Sequence, residues 1–276
     1  MEIAIALIIG LMLLVVGGEL LVRGAVATAK SFNVSPLLIG LTLVGFGTST
    51  PELVTSVTAA LEGSPGIAVG NVVSSNTANI LLILGISAVI YPLAVSPKSF
   101  KRDAIVLAVS SLACLAVVLY GTMSAFVGIV FILSLFVYVG YVYVQEKNAP
   151  DEAAIVFEHM VEDTGKGPNK IVLSLGMALL GIAITIAGAQ FFVDGAINLA
   201  KNFGVSDTII GLTVVAVGTS MPELVTSVMA ALRKHSDVAY GNIIGSNIYN
   251  VLFVLGATSL IKPIEIPQQI ASSIFG

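Results

Sequence analysis

Runs of about twenty apolar residues alternate along the chain with short breaks rich in Pro, Gly, Asn and charged residues. A run of that length is what an α-helix needs to cross a hydrocarbon layer ~30 Å thick. The pattern predicts spans near 3–22, 34–61, 66–91, 104–120, 123–144, 171–192, 205–232 and 238–261, with a further apolar run at 270–276. That makes eight spans and the start of a ninth. Helices satisfy their own backbone polar groups in hydrocarbon, so the expected fold class is an all-α polytopic membrane protein. The first run has no basic segment before Ile3 and outlasts a signal-peptide core, so it reads as a true first helix.

Composition agrees: 57% of the 276 residues are apolar and 10% are charged, which excludes a soluble fold and with it nucleic-acid binding. The lone Cys114 lies inside an apolar run and reads as a small core residue. His159 and His235 are the two histidines, too few for a zinc or iron cluster. An outside N-terminus puts ten of the twelve Lys and Arg residues on the inner side, leaving Lys201 and Lys262 outside. The positive-inside rule selects that topology. The connection 146–170 is then cytoplasmic. Its acids (Glu146, Asp151, Glu152, Glu158, Glu162 and Asp163) admit a regulatory cation site, but read more simply as a solvated linker.

Residues 17–92 align without a gap on 188–263 at an offset of 171; 17 of 22 positions agree between 40–61 and 211–232, and 8 of 16 between 70–85 and 241–256. Five spans precede the second copy, so the copies enter the membrane from opposite sides, as in inverted-repeat transporters. Arg23 on the inner side becoming Asp194 on the outer side fits the inversion. The expected organisation is a first repeat over 1–145, the linker 146–170, and a second repeat over 171–276. Counterparts of spans four and five would start near 275, so the second copy reads as truncated.

Glu52 and Glu223 fall inside apolar segments at equivalent places, each in the pattern G-T-S-x-P-E. An intramembrane carboxylate is costly and implies function, and no Lys or Arg in these spans offers a structural ion pair. Pro51 and Pro222 should break their helices and release the carbonyls of Gly47 and Gly218 and their neighbours. They should also place each glutamate at the positive end of the following half-helix. Thr48, Ser49, Thr219 and Ser220 add hydroxyls. In the next spans Asn71, Ser75 and Asn79 share a helix face, as do Asn242, Ser246 and Asn250. Asn79 and Asn250 lie deep and read as ion ligands; for Asn71 and Asn242, interhelical hydrogen bonding is an equal reading. Hard oxygen donors throughout suit Ca2+ or Na+ rather than transition metals. Glu19 reads as an i,i+4 partner of Arg23, and Tyr120, Tyr138, Tyr141 and Tyr143 as interfacial aromatics.

With paired GTSxPE and GNxxxSNxxN segments at one offset, the chain resembles the cation/calcium exchanger superfamily, and within it the prokaryotic sodium/calcium exchangers. The resemblance covers 40–85 and 211–256 and the gliding helices 1–22 and 171–200. It implies ten helices in two inverted halves, against the eight and a stub read here. It also implies acidic ligands at Glu52 and Glu223, amide ligands at Asn79 and Asn250, and further ligands at Thr48, Ser49, Ser75 and the Gly45 carbonyl. In the other half these fall on Thr219, Ser220, Ser246 and the Ala216 carbonyl. Asn rather than Asp at 250 argues against potassium dependence. The implied activity is Na+/Ca2+ antiport in a prokaryotic cell membrane, with Ca2+ and Na+ as transported ions and no cofactor. H+/Ca2+ exchange is the nearest rival, disfavoured because no acid follows Asn71 closely. A passive channel would carry flux without a counter-ion. An intramembrane protease would need a mid-span histidine or aspartate, and none is present.

Overall fold

The computed structural model describes residues 2–147, 168–204 and 216–265. The described segments are almost entirely helical. Helix α1 spans Glu2–Phe32, and a second segment, α2 (Pro36–Thr48), bends by 42° into α3 (Thr50–Leu61). Then follow α4 (Pro65–Ile90), α5 (Pro97–Tyr120) and α6 (Ala125–Lys147). After the linker come α7 (Pro168–Asn202), α8 (Ala216–Thr219), α9 (Met221–Leu232) and α10 (Ser236–Ile261). A two-residue antiparallel ladder, Thr122–Met123 with Ile264–Glu265, ties the α5–α6 turn to the end of α10.

Local sequence sets the boundaries. Pro36, Pro65 and Pro97 each stand in the first turn of a helix, where the missing N–H costs nothing. Ser35 and Ser96 cap α2 and α5 through hydroxyls that accept the N–H of Leu38 and Ser99. Gly121 ends α5 at φ 84°, a left-handed conformation glycine adopts without strain. The spans were expected to be shorter: α1 runs to Phe32 instead of stopping near 22, and α7 to Asn202 instead of 192. No breaker intervenes before Asn33 and Gly204, both at positive φ, so the helices continue past their apolar stretch. α5 begins at Pro97 rather than 104 because Arg102 and Asp103 neutralise each other inside it.

Among the described residues six helices are long and apolar enough to cross a membrane, or seven when the bent α2–α3 pair counts as one. The expected seventh span, 205–232, survives as α8 and α9. Its beginning, 205–215, lies outside the described residues, as do the expected stub 270–276 and linker residues 148–167, while 168–170, expected in the linker, begin α7.

Two substructures emerge. Helices α1 and α7 pack antiparallel along most of their length as a separate pair. Gly10, Gly17 and Gly24 face Phe192, Thr185 and Ala178, while Gly181, Gly188 and Gly195 face Leu21, Leu14 and Leu7. A Cβ on Gly17 would come within 2.6 Å of the Thr185 backbone nitrogen, so only glycine permits this approach. The remaining helices form a bundle whose centre is α10, almost wholly buried between α2, α6 and α9. Arg102, Asp103, Tyr138 and Glu146 brace its α5–α6 hairpin. The Arg102 guanidinium bonds Asp103 at 2.6 Å and Glu146 at 2.7 Å, and the Tyr138 hydroxyl donates to Asp103 at 3.0 Å. Tyr138 is therefore no interfacial aromatic: it is buried and spends its hydroxyl on a buried carboxylate. Glu146, read as a linker acid, belongs to the same brace. Cys114 sits in the core as expected.

Candidate cation site

The bend between α2 and α3 falls at Ser49, two residues before Pro51, and Ser220 occupies the same place before Pro222. Glu52 and Glu223 lie in the first turns of α3 and α9, where helix N-termini favour negative charge. Ser49 and Ser220 stand at N-cap positions, yet neither hydroxyl caps its own helix. Each crosses to the other repeat instead. Ser49 Oγ donates to Glu223 Oε1 at 3.3 Å, and Ser220 Oγ donates to Glu52 Oε1 at 3.3 Å. The offset of 171 relates the two pairs, so Ser49 stands to Glu223 as Ser220 stands to Glu52.

Both glutamates are fully buried, and the second oxygen of each, Oε2, has no hydrogen-bond partner. Around them stand further buried oxygens. Ser75 lies beside Glu52; its Oγ, both polar atoms of Asn79 and Oδ1 of Asn250 are buried and without a hydrogen-bond partner. Unpaired polar atoms at this density are expensive in a folded interior, and a cation would satisfy the oxygens at once. The donor set is all oxygen, carrying two formal negative charges, which is hard-cation chemistry.

Thr48 donates to Asn242 Oδ1 at 3.0 Å, and shares a 3.3 Å contact with Ser246. Thr48 and Ser246 both reach the Gly45 carbonyl at 3.4 Å. Of the carbonyls ahead of Pro51 expected to be released, that of Gly45 collects partners: besides these two hydroxyls, Ser49 N–H returns to it at 3.1 Å. Thr219 and Ser220 lie at the junction of α8 and α9. The backbone of Ala216 begins α8.

Asn71 and Asn242 turn out to be braces. Asn71 Nδ2 donates to the Glu52 carbonyl and Ser56 Oγ at 3.2 and 3.0 Å. Asn242 Nδ2 does the same to the Glu223 carbonyl and Ser227 Oγ at 3.3 and 2.9 Å. Asn79 and Asn250 each open a π-helical turn, at Asn79–Ile83 and Asn250–Leu255. Such turns leave wider spacing in the backbone ladder and recur at functional sites. Asn76 and its counterpart Asn247, amides the sequence offers at matching points but off the shared polar faces, take part as well. Asn76 donates to the Asn247 carbonyl at 3.0 Å and accepts from Asn250 Nδ2 at 3.0 Å. That fixes the Asn250 amide with its oxygen unpaired. The signal was present in the SN dipeptide that recurs in both copies.

The model of the family described as "Sodium/calcium exchanger protein" matches residues 2–144 and 173–275. The chain belongs to this family. Its members are transporters, not enzymes, and the chain is accordingly a membrane protein. The sodium/calcium exchanger MaX1 of Methanosarcina acetivorans is 32% identical over 297 aligned residues, covering 95% of this chain and 84% of its own. The inner membrane protein YrbG of Escherichia coli K12 is 35% identical, covering 94% of this chain and 80% of its own. A solved structure of the sodium-calcium exchanger NCX_Mj superposes with a TM-score of 0.83 at 33% identity, covering 99% of this chain and 88% of that one. The fold is thus that of an exchanger of this family.

Proposed function

We propose that this exchanger is a Na+/Ca2+ antiporter that works by alternating access at a single site centred on Glu52 and Glu223. The reciprocal pairing of Ser49 with Glu223 and Ser220 with Glu52, each carboxylate keeping one oxygen unpaired, carries the reading. Two carboxylates supply a charge of −2, which one Ca2+ or two Na+ neutralise. Competition for shared ligands is then sufficient for exchange. Thr48, Ser49, Ser75, Asn79 and the Gly45 carbonyl supply neutral oxygens from the first repeat; Thr219, Ser220, Ser246, Asn250 and the Ala216 carbonyl supply them from the second. Further Na+ on these oxygens makes the cycle electrogenic.

The separate α1–α7 pair suits a moving part and the bundle a fixed one. Inverted repeats 1–145 and 171–276 with an outside N-terminus would place the site near the bilayer midplane. Asn at 250 removes the third charge that potassium coupling would use. MaX1 and NCX_Mj bear the same functional name, which supports sodium as the coupling ion.

The test is Ca2+ uptake into proteoliposomes holding the purified protein, driven either by an outward Na+ gradient or by a pH gradient without Na+. Uptake under the Na+ gradient alone is expected. Uptake under the pH gradient alone would make the protein an H+/Ca2+ exchanger, and dissipation of a Ca2+ gradient with no counter-ion would make it a channel.

A further inference from the structure

The offset of 171 pairs α1 with α7 and α3 with α9, so every contact between the moving pair and the bundle has a counterpart on the opposite side. The structure makes one of the two. Glu19 on α1 accepts from Arg233 Nε at 2.9 Å and contacts Arg233 Nη2, a two-pronged ion pair across the boundary between pair and bundle. Arg23, expected as its partner, contributes only a local bond within α1. Beside this ion pair α1 lies directly on α9: a Cβ at Gly18 would stand 3.0 Å from Val225 Cγ1 and 3.1 Å from Met229 Cγ.

On the other side the counterparts are Gln190 for Glu19, Glu62 for Arg233, Ala189 for Gly18, Val54 for Val225 and Thr58 for Met229. There α7 does not pack on α3 in the way α1 packs on α9. Val54 is 59% exposed, and Thr58, Glu62 and Gln190 are exposed as well. The pair is docked on the second repeat and has left the matching face of the first one open.

In an inverted-repeat transporter the opposite-facing conformation follows from exchanging the conformations of the two repeats. The exchange would dock α7 on α3 and bring Gln190 to Glu62. An amide against a carboxylate makes at most one good hydrogen bond, whereas the guanidinium and carboxylate make two charge-assisted ones. The methyl of Ala189 would also occupy space that Gly18 leaves free. Both differences favour the side now closed. His235, beside this contact, is pushed below its ordinary value by burial and by Arg233, with Glu19 opposing and Lys30 adding to the fall, and Arg23 shares the Glu19 carboxylate.

We propose that Glu19 and Arg233 form a latch holding the α1–α7 pair on α9, that this latch biases the exchanger toward the conformation seen here, and that Gln190 and Glu62 are its weak counterpart on the opposite face. The inference rests on the alternating-access reading. Two single-cysteine reporters in a Cys114→Ala background test it by maleimide labelling rate: Met229→Cys on the covered face of α9 and Thr58→Cys on the open face of α3. Glu19→Gln and Arg233→Gln should each speed labelling at 229 and slow it at 58, so that the ratio of the two rates changes by about fivefold, the shift corresponding to about 1 kcal/mol for a half-exposed ion pair. Arg23→Gln should move neither rate. The swap Glu19→Arg with Arg233→Glu should restore both, and Gln190→Glu with Glu62→Arg should shift them as latch loss does, by stabilising the opposite face. Rates unchanged at both reporters in Glu19→Gln, or raised at both together, would overturn the latch, the second showing general loosening. Labelling reads conformation whatever ion is carried; absence of Na+-driven Ca2+ uptake in the wild type would instead remove the proposed activity.

Discussion

Glutamine at position 52 or 223 keeps the shape of the site and removes half its formal charge. Each carboxylate is fully buried, and the pair carries the charge of the centre. A divalent ion about 3 Å from a carboxylate gains roughly 11 kcal/mol at an effective dielectric of ~20, and a monovalent ion about half that. Dehydration of the ion and the amide oxygen that remains offset most of the loss. A surviving quarter is about 3 kcal/mol for Ca2+ and about 1.4 kcal/mol for Na+, or roughly a hundredfold against tenfold weaker binding. The serine contacts at 3.3 Å can persist to an amide oxygen, so both variants should fold and insert. Half-saturation for each ion in reconstituted vesicles, with size-exclusion profiles as the folding control, measures this. Equal losses for Ca2+ and Na+, or wild-type exchange by either variant, would refute the shared-charge reasoning.

Ser49→Ala and Ser220→Ala remove equivalent bonds to the two carboxylates, so each should weaken Ca2+ binding by up to about tenfold and to a similar extent; titration of both variants checks the symmetry. Asn76→Ala unties the Asn250 amide and should weaken Ca2+ several-fold, whereas Asn76→Ala combined with Asn250→Ala should add little beyond Asn250→Ala alone, a cycle read from the same titrations. Gly17→Ala drives a methyl into the Thr185 backbone and should cost about 1–3 kcal/mol of stability, while Gly140→Ala, with open space around it, should leave the melting temperature of the detergent-solubilised protein unchanged. Arg102→Met strands the fully buried Asp103 and should cost about 3–5 kcal/mol; Arg102→Met with Asp103→Asn should recover much of it in the same melts.

The apolar runs, the duplication and the GTSxPE segments were enough to locate both glutamates, because each is a costly exception to a regular pattern. The two serines were legible as hydroxyl donors, but their crossing to the opposite repeat depends on tertiary approach that no spacing encodes. Helix ends were misplaced wherever hydropathy was taken for helicity: α1 stays helical from Val22 to Phe32 although charged and small residues appear there. Arg102 looked like a loop cation because its partners besides the adjacent Asp103, Gln145 and Glu146, lie on α6, forty-odd residues away. The glycines at 10, 17 and 24, and at 181, 188 and 195, were readable as two seven-residue series, and they mark the surface along which α1 and α7 pair. The π-helical turns at Asn79 and Asn250 left no such trace, since they arise where the helix adjusts to neighbours rather than from a residue that demands them.

Equilibrium competition tests most directly the claim that one site holds either ion. Binding of radioactive Ca2+ to the purified protein is measured at rising Na+ with ionic strength held constant by choline. Na+ should raise the apparent dissociation constant for Ca2+ without changing the number of sites. At high Na+ the constant should grow at least with the square of the Na+ concentration, because two Na+ are needed to replace the charge of one Ca2+. A Ca2+ affinity indifferent to Na+, or a loss of sites at constant affinity, would contradict it.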